Sequence, residues 1–210
     1  EPFHWDQKRK YDRGKVLNAE ELEHIGRFGR YLDVDGDGIP YRTYPGTHPT
    51  KGSFFTRGTS KDEYAAYTED GGAYKRNMDR LTHKWETAKS MVPTAEVSHS
   101  AKMSELGILY FGTSTFSSEE ARDLLAEEEI YVDSIRLKAF PFGIEVVDFV
   151  NSHRVIFVIE QNRDAQMRKM LIMELDCNPK KLVSVLNYDG MPITADVIKQ
   201  QILQFINLEN

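Results

Sequence analysis

The sequence has a single cysteine and no long apolar run. With Cys177 alone, the 210-residue chain cannot form an internal disulfide or hold an iron–sulfur cluster, and the count fits a reducing, cytoplasmic compartment. No apolar run approaches the roughly 20 residues that cross a bilayer, so we expect no membrane association. With 40% hydrophobic and 29% charged residues, the composition is that of a folded globular chain.

A concentrated basic region is also lacking. The formal net charge is −6, and the longest run of lysine and arginine is the triplet at residues 8–10. A nucleic-acid site needs a basic face that neutralises phosphates. We therefore expect no nucleic-acid partner.

The common cofactor fingerprints are absent as well. The chain contains no GxGxxG or P-loop sequence, and its six histidines show no zinc spacing. The turn Gly-Thr-Ser-Thr at residues 112–115 lies between a predicted strand and a predicted helix, where free N–H groups can hold a phosphate. It supports one alternative function, a stand-alone α/β module that binds a small molecule or nucleotide. Ordinary helix capping is the simpler interpretation of the same turn.

What is present is a regular second half, residues 97–210. Apolar runs predict strands at residues 107–111, 132–139, 155–159 and 182–186. Helical periodicity predicts helices at residues 117–129, 144–150, 164–175 and 194–207. Ser117 or Ser118 is the expected N-cap of the first of them, and Asn162 or Asp164 that of the third. This βα alternation predicts an α/β domain with a doubly wound, mostly parallel sheet.

The first half, residues 1–96, is rich in turn signals. Glycine and proline interrupt it so often that we predict a loop-rich segment with two helices, at residues 18–26 and 73–90. Loops of this length indicate a segment that covers another domain or subunit. The start at residues 1–3, which has no methionine, further suggests part of a longer protein. Apolar residues of the second helix form a stripe that needs a partner surface: Tyr74, Met78, Leu81, Trp85 and Ala88.

Three alternating carboxylates resemble half of a calcium loop. Asp33, Asp35 and Asp37 are followed by Gly38 in the sixth position, but Tyr44 stands where the twelfth position needs glutamate. One interpretation is a bound cation, with calcium as the candidate and the three aspartates as metal ligands. The other is a tight turn whose carboxylates accept backbone N–H groups.

The densest polar stretch, residues 54–70, supplies the candidate catalytic residues. Arg57 is suited to hold a carboxylate, and Asp62 or Glu63 is suited to act as an acid or base. Adjacent carboxylates face one site only if the backbone turns. A structural ion-pair loop is the competing interpretation.

Five sequence blocks follow one another in a recognisable order. They are DRGKVL at residues 12–17, GRYLDVDGDGIPYRT at 29–43, FTRG at 55–58, NMDRL at 77–81 and VIEQNRDAQM at 158–167. Together they resemble the alpha subunit of 2-oxoacid:ferredoxin oxidoreductases of the 2-oxoglutarate type, C-terminal portion. Where that family tends to have histidine and a final glycine in the loop after FTRG, this chain has Lys61 and Ala65.

The resemblance implies an enzyme that oxidatively decarboxylates a 2-oxoacid, with 2-oxoglutarate as the expected substrate, to an acyl-coenzyme A while reducing ferredoxin. Its cofactors are thiamine diphosphate, magnesium and [4Fe-4S] clusters. In the family these are bound mainly by the beta subunit and by N-terminal domains of the alpha subunit, so none is expected within this chain. Those two parts are the expected partners, and ferredoxin is reached through the assembled enzyme.

The resemblance also implies a division of the chain. Residues 1–96 correspond to the loop-rich tail of a pyrimidine-binding-type domain and a connector. Residues 97–210 correspond to a transketolase C-terminal-like α/β domain. The expected role is structural and active-site-supporting, and the isolated chain is expected to be inactive.

Overall fold

The computed structural model describes residues 5–209, and residues 1–3, used above for the expectation of a longer protein, lie outside them. The chain divides into two compact units, Glu1–Ala88 and Lys89–Asn210. Among the described helices, none is both long enough and apolar enough to cross a membrane. Each unit has its own architecture and is described by itself.

The first unit contains the two helices that the sequence predicts, connected by loops. Helix α1 spans Ala19–His24 and helix α2 spans Gly71–Ala88. The Asn18 side chain accepts a hydrogen bond from the Glu21 N–H at 2.9 Å, and the Glu21 carboxylate accepts one from the Asn18 N–H at 2.7 Å. This reciprocal capping box satisfies two N–H groups at the start of α1, with Asn18 as the N-cap.

Helix α2 packs on its own unit through a face other than the predicted stripe. It buries Ala73 and Asn77, and the Asn77 amide donates to the main-chain oxygen of Lys61 at 2.8 Å. A polar side chain is buried here because a loop carbonyl needs a donor. The large apolar side chains of the stripe are exposed to 39–47%: Tyr74, Met78, Leu81 and Trp85.

The second unit is built on a five-stranded sheet in the order β1-β3-β2-β4-β5. The strands are β1 (Glu96–Ser98), β2 (Leu106–Phe111), β3 (Asp133–Leu137), β4 (Val155–Glu160) and β5 (Leu182–Leu186). Strands β2 to β5 are parallel, and β1 joins the edge antiparallel to β3. All six residues of β4 are buried, as its apolar sequence predicts for a central strand.

Helices cover both faces of this sheet. They are α3 (Thr115–Glu127), α4 (Ile144–Ser152), α5 (Gln166–Leu175) and α6 (Ala195–Glu209). On one face, α3 and α6 pack on Ile108 and Phe157, and on the other, α4 and α5 pack on Leu109 and Ile156. The prediction of an α/β fold with a doubly wound, mostly parallel sheet, preceded by a loop-rich segment with two helices, is confirmed.

Strand β1 was not predicted, and it spans the expected junction between residues 96 and 97. The expected division lies between a connector that ends at residue 96 and a domain that starts at residue 97. The three residues of β1 pair with β3, for example Glu96 with Arg136, and the second compact unit begins at Lys89. All three are exposed, so no alternation of apolar and polar residues marks the strand.

Helix α3 begins two residues earlier than expected, and the predicted N-caps do not cap it. A 3₁₀ turn at Gly112–Ser114 leads directly into Thr115. The Ser117 hydroxyl donates to the main-chain oxygen of Ser114 at 3.1 Å, and Ser118 is buried inside the helix. Gly112 has a φ of +60°, a conformation that glycine adopts without the strain of a Cβ atom.

Candidate functional site

Asp33 organises the turn at residues 33–38 through backbone hydrogen bonds. Its two carboxylate oxygens accept the N–H groups of Gly36 and Gly38, each at 2.9 Å. Both glycines have a positive φ. Asp33 therefore acts as the Asp/Gly-turn interpretation predicts, with its oxygens directed at backbone donors.

The other two aspartates of the turn bind a lysine. The Lys15 ammonium nitrogen lies 2.6 Å from a carboxylate oxygen of Asp35 and 2.6 Å from one of Asp37, and it donates to the main-chain oxygen of Ile39 at 3.2 Å. Hydrogen bonding to Lys15 lowers the pKa of both carboxyls. Burial acts to lower the pKa of Lys15, but the two carboxylates raise it overall. The pair of carboxylates is thus held ionised around a cation that the chain itself provides.

This arrangement bears on the calcium hypothesis. Across residues 5–209, no group of three or more His, Cys, Asp or Glu side chains is placed to hold a metal ion. Lys15 supplies, between Asp35 and Asp37, the positive charge that Ca²⁺ would otherwise bring. The assignment of Asp33, Asp35 and Asp37 as metal ligands is a hypothesis that calcium and chelator can test directly.

We expect Asp35→Asn to lower the melting temperature by the same small amount in calcium and in chelator. The substitution keeps the shape of the side chain and removes a charge that pairs with Lys15, and exposed ion pairs stabilise little. Calorimetry of the wild-type and Asp35→Asn proteins, each in calcium and in chelator, measures the difference in melting temperature. Asp148→Asn, a substitution at an exposed aspartate, is the control. A wild-type melting temperature that falls on chelation, with Asp35→Asn unaffected by the chelator, would instead establish a cation at the turn.

Asp62 has a structural role in its loop. One of its carboxylate oxygens accepts the N–H groups of Tyr64 and Ala66, each at 2.9 Å. The Asp62 N–H donates to the main-chain oxygen of Ala66 at 2.9 Å, and Ala65 at the turn has a φ of +72°. Two donors on one oxygen hold this tight turn, so the carboxylate is directed at the backbone.

The other two catalytic candidates have separate contacts. The Glu63 carboxylate lies 2.5 Å from Nε of Arg76, and this hydrogen bond lowers the pKa of Glu63. The Arg57 guanidinium lies over the ring of Tyr67, 5.7 Å from its centroid. No ion pair or hydrogen bond joins any two of Arg57, Asp62 and Glu63 in the described chain. These contacts are those expected of a structural ion-pair loop. No acid–base contact among these three residues supports their assignment as catalytic residues.

The carboxyl ends of β2 and β4 form the topological switch point of the sheet, where ligands of α/β folds usually bind. Three connecting segments meet there: the Gln161 amide nitrogen donates to the Thr113 hydroxyl at 2.8 Å, and its oxygen accepts the Ile193 N–H at 3.1 Å. The Ser114 and Thr115 hydroxyls donate back to main-chain oxygens at 2.7 and 2.8 Å. The hydroxyls of the predicted phosphate turn are therefore engaged within the chain.

Glu160 is the residue of this edge that the sequence analysis missed. It ends β4, is 1% exposed, and accepts the N–H groups of Met167 at 2.7 Å and Arg168 at 3.0 Å. The Asn162 amide also donates to it at 2.8 Å. The signal was available, because a glutamate at the end of a fully apolar strand is buried only when donors surround it. Asn162, one of the two predicted caps, accepts the Gln166 N–H at 3.3 Å.

A second missed cluster lies at the opposite, amino edge of the sheet. The Asp133 carboxylate lies 2.8 Å from Nδ1 of His99 and 3.4 Å from Nε2 of the buried His153, and it accepts the Ser100 N–H at 2.7 Å. Burial opposes ionisation of Asp133, but the surrounding donors lower its pKa overall. The histidines are far apart in sequence, so no spacing reveals the cluster. Its position away from the carboxyl edge favours a structural role.

Comparison with known proteins gives a fold relationship. No protein-family model matches the chain, and no curated protein matches it. Among solved structures, the chain is similar to the 2-oxoglutarate:ferredoxin oxidoreductase from Magnetococcus marinus, solved with 2-oxoglutarate, coenzyme A and succinyl-CoA bound. The TM-score is 0.76 at 20% identity, over 91% of this chain and 32% of that one. The chain thus shares the fold of about a third of that larger chain.

Two weaker likenesses were found. The alpha chain of a probable 2-oxoacid ferredoxin oxidoreductase from Thermoplasma acidophilum matches with a TM-score of 0.38 at 24% identity, over 54% of this chain and 97% of that one. A split-gene transketolase, described as an inactive beta4 tetramer, matches with a TM-score of 0.42 at 15% identity, over 55% of this chain and 42% of that one. Neither score is high enough to support a conclusion.

Proposed function

We propose that this chain is the C-terminal portion of the alpha subunit of a 2-oxoacid:ferredoxin oxidoreductase. The observation that carries the proposal is the fold match along 91% of the chain, to a chain of a 2-oxoglutarate:ferredoxin oxidoreductase. The five sequence blocks that resemble the same family support it independently of the fold. In this proposal the whole enzyme uses thiamine diphosphate, converts a 2-oxoacid, 2-oxoglutarate in the first instance, to its acyl-coenzyme A, and reduces ferredoxin.

The role of this chain within the enzyme is to support the assembly and the surroundings of the active site. The side chains with catalytic potential in the first unit, Asp62 and Glu63, already bind backbone donors and Arg76. With Cys177 as its one cysteine, the chain does not fit a [4Fe-4S] cluster, which takes four thiolates. As the family resemblance implies, the proposal assigns the clusters, magnesium and thiamine diphosphate to the beta subunit and to the N-terminal domains of the alpha subunit.

The proposal also assigns a domain to each half of the sequence. Residues 1–96 are the tail of a pyrimidine-binding-type domain with its connector, and residues 97–210 are a transketolase C-terminal-like domain. Large exposed aromatic side chains on the loops of the first unit support a covering role: Tyr44, Phe54, Phe55 and Tyr67. The partners are the beta subunit and the remaining alpha domains, with ferredoxin reached through the complex. The single cysteine favours a cytoplasmic location.

Reconstitution tests this function. We expect the chain alone to show no 2-oxoglutarate-dependent, coenzyme A-dependent reduction of ferredoxin, and the chain combined with a beta-type subunit and the remaining alpha domains to show it. Calorimetry should detect no micromolar binding of thiamine diphosphate to the chain alone. Marked thermal stabilisation of the isolated chain by a nucleotide, without any association with a beta-type subunit, would favour the stand-alone module instead.

A matched pair of phenylalanines tests the docking of the loops. Phe55 in the first unit and Phe116 on α3 are each 80% exposed, so glutamate at either position should leave the melting temperature of the chain nearly unchanged. We expect Phe55→Glu to weaken association with the other subunits about tenfold or more, because a charge is then buried at the interface. Phe116→Glu should associate normally in the same titration. Equal association of both variants would contradict a covering role for this loop.

A further inference from the structure

The first unit contains a cavity of about 290 Å³ whose charged lining is entirely basic. Its uncharged lining includes Tyr31, Ile39 and Leu81, and no carboxylate belongs to the lining that the described residues form. The cationic residues of this basic cavity are Arg13, Lys15, Arg30, Arg42, Arg80 and Lys84. Grouping like charges this closely is unfavourable unless an anion offsets them.

Most of these cations have contacts that leave their charge uncompensated. Lys15 is the exception, since it is paired with the two aspartates described above. The Arg42 guanidinium donates to the main-chain oxygen of Arg13, and the Arg30 guanidinium lies 5.6 Å from the ring centroid of Tyr31. Carbonyl oxygens and aromatic rings orient a guanidinium group without neutralising it.

Arg80 is the most constrained of the six. Its Nη1 donates to the main-chain oxygen of Gly38 at 2.9 Å, but its Nε is shielded from solvent and has no hydrogen-bond acceptor among the described residues. Burial and the charge of Arg30 lower the pKa of Arg80 overall, although the nearby Asp33 carboxylate acts in the opposite direction. An arginine stays protonated in a protein, so this side chain is a partly desolvated cation with one N–H group, at Nε, that lacks an acceptor.

We propose that the basic cavity binds the diphosphate group of a small ligand. Guanidinium groups match phosphate oxygens through paired N–H donors, and Arg30, Arg42 and Arg80 supply such donors at one cavity. A diphosphate carries more negative charge than a dicarboxylate, which suits a lining with five cations that have no carboxylate partner. The volume is at the lower end for small-molecule sites, which fits a compact anion or the diphosphate part of a larger ligand.

The cationic residues come from segments whose backbones are already joined. The Arg42 N–H donates to the main-chain oxygen of Lys15, and the Leu17 N–H donates to that of Arg42, each at 2.9 Å. The Tyr31 N–H, next to Arg30, donates to the main-chain oxygen of Glu63 at 2.9 Å. These bonds hold the segments of Lys15 and Arg42 together, and fix that of Arg30 to a neighbouring loop, before any ligand arrives, which lowers the entropic cost of binding.

Calorimetric titration of the full 210-residue chain tests the proposal, with inorganic pyrophosphate as the probe and ADP and 2-oxoglutarate as comparisons. We expect pyrophosphate to bind more tightly than 2-oxoglutarate, and its affinity to fall as salt is raised. Arg30→Gln and Arg42→Gln should each weaken pyrophosphate about tenfold or more, the loss expected for one charge-assisted pair. Arg9→Gln removes the same charge from an exposed residue outside the lining and should change affinity less than about twofold.

The ligands and variants together decide the outcome. ADP binding with a similar arginine dependence would identify a nucleotide diphosphate as one source, and pyrophosphate binding without ADP would restrict the site to the free anion. The melting temperatures of the variants, measured without ligand, show that each remains folded. No binding of pyrophosphate at millimolar concentration, tighter binding of 2-oxoglutarate, or an equal loss in Arg9→Gln would each overturn the proposal.

Discussion

Gly38→Ala is expected to destabilise the first unit far more than Gly36→Ala does, although the two glycines lie in the same turn. Both have a positive φ, +76° and +74°, so either substitution introduces backbone strain of about 1 kcal/mol. They differ in the space around them. A Cβ at Gly38 would lie 2.3 Å from the main-chain nitrogen of Lys84 and 2.9 Å from the main-chain oxygen of Arg80, whereas nothing lies within 4 Å of one at Gly36.

The contact at Gly38 is with the backbone of α2, so no rotamer change can relieve it. Overpacking of this kind costs about 1 to 3 kcal/mol beyond the strain. Movement of the helix would also disturb the hydrogen bond from Arg80 to the Gly38 carbonyl. We therefore expect a total loss of about 3 kcal/mol for Gly38→Ala against about 1 kcal/mol for Gly36→Ala.

Tryptophan fluorescence during urea unfolding measures this difference selectively. The sequence has two tryptophans, Trp5 and Trp85, and both belong to the first unit, so their signal follows that unit. The midpoint for Gly38→Ala should fall well below that for Gly36→Ala. Equal midpoints would show that the turn is not packed on α2 as described, and they would weaken the proposed basic cavity, since Lys84 and Arg80 line it.

The sheet of the second unit was predictable because its strands are short and apolar and its helices periodic. The run at residues 155–159 is buried throughout, as a central strand requires. Strand β1 was not predictable, since three exposed residues held only by backbone pairing carry no periodic signal. The start of α3 was missed for a related reason: a 3₁₀ turn continues into the helix without a side-chain cap.

The candidate site was less predictable, because its contacts connect residues that are distant in sequence. The spacing of Asp33, Asp35 and Asp37 indicated a cation, but it could not show that Lys15 lies between two of them. Likewise, the apolar stripe of α2 was visible, whereas burial of Asn77 depends on a carbonyl sixteen residues away in the chain. The spacing of the carboxylates therefore shows that the loop attracts a positive charge. Only the tertiary fold shows which group can supply that charge.

Glu160→Ala is expected to cause a large loss of stability in the second unit. The carboxylate is 1% exposed and accepts two N–H groups at the start of α5 together with the Asn162 amide. Alanine removes the acceptor and leaves those donors buried without partners, next to a cavity of carboxylate size. Losing hydrogen bonds to a buried charged group costs about 3 kcal/mol or more, equivalent to roughly 6 to 12 °C in melting temperature for a chain of this size.

Two further variants distinguish the loss of these hydrogen bonds from a general effect of losing a glutamate. Glu174→Ala removes the same side chain from an exposed position on α5 and should change stability by less than about 0.5 kcal/mol. Glu160→Gln keeps one acceptor oxygen but points an amide N–H₂ group at the helix donors, so its loss should be intermediate. Circular dichroism during unfolding ranks the stabilities of the three variants. In Glu160→Ala, amide hydrogen exchange should become faster at Met167 and Arg168. If Glu160→Ala is no less stable than Glu174→Ala, water or another group must satisfy the start of α5, and Glu160 is then available at the carboxyl edge of the sheet, where a ligand of this fold would bind.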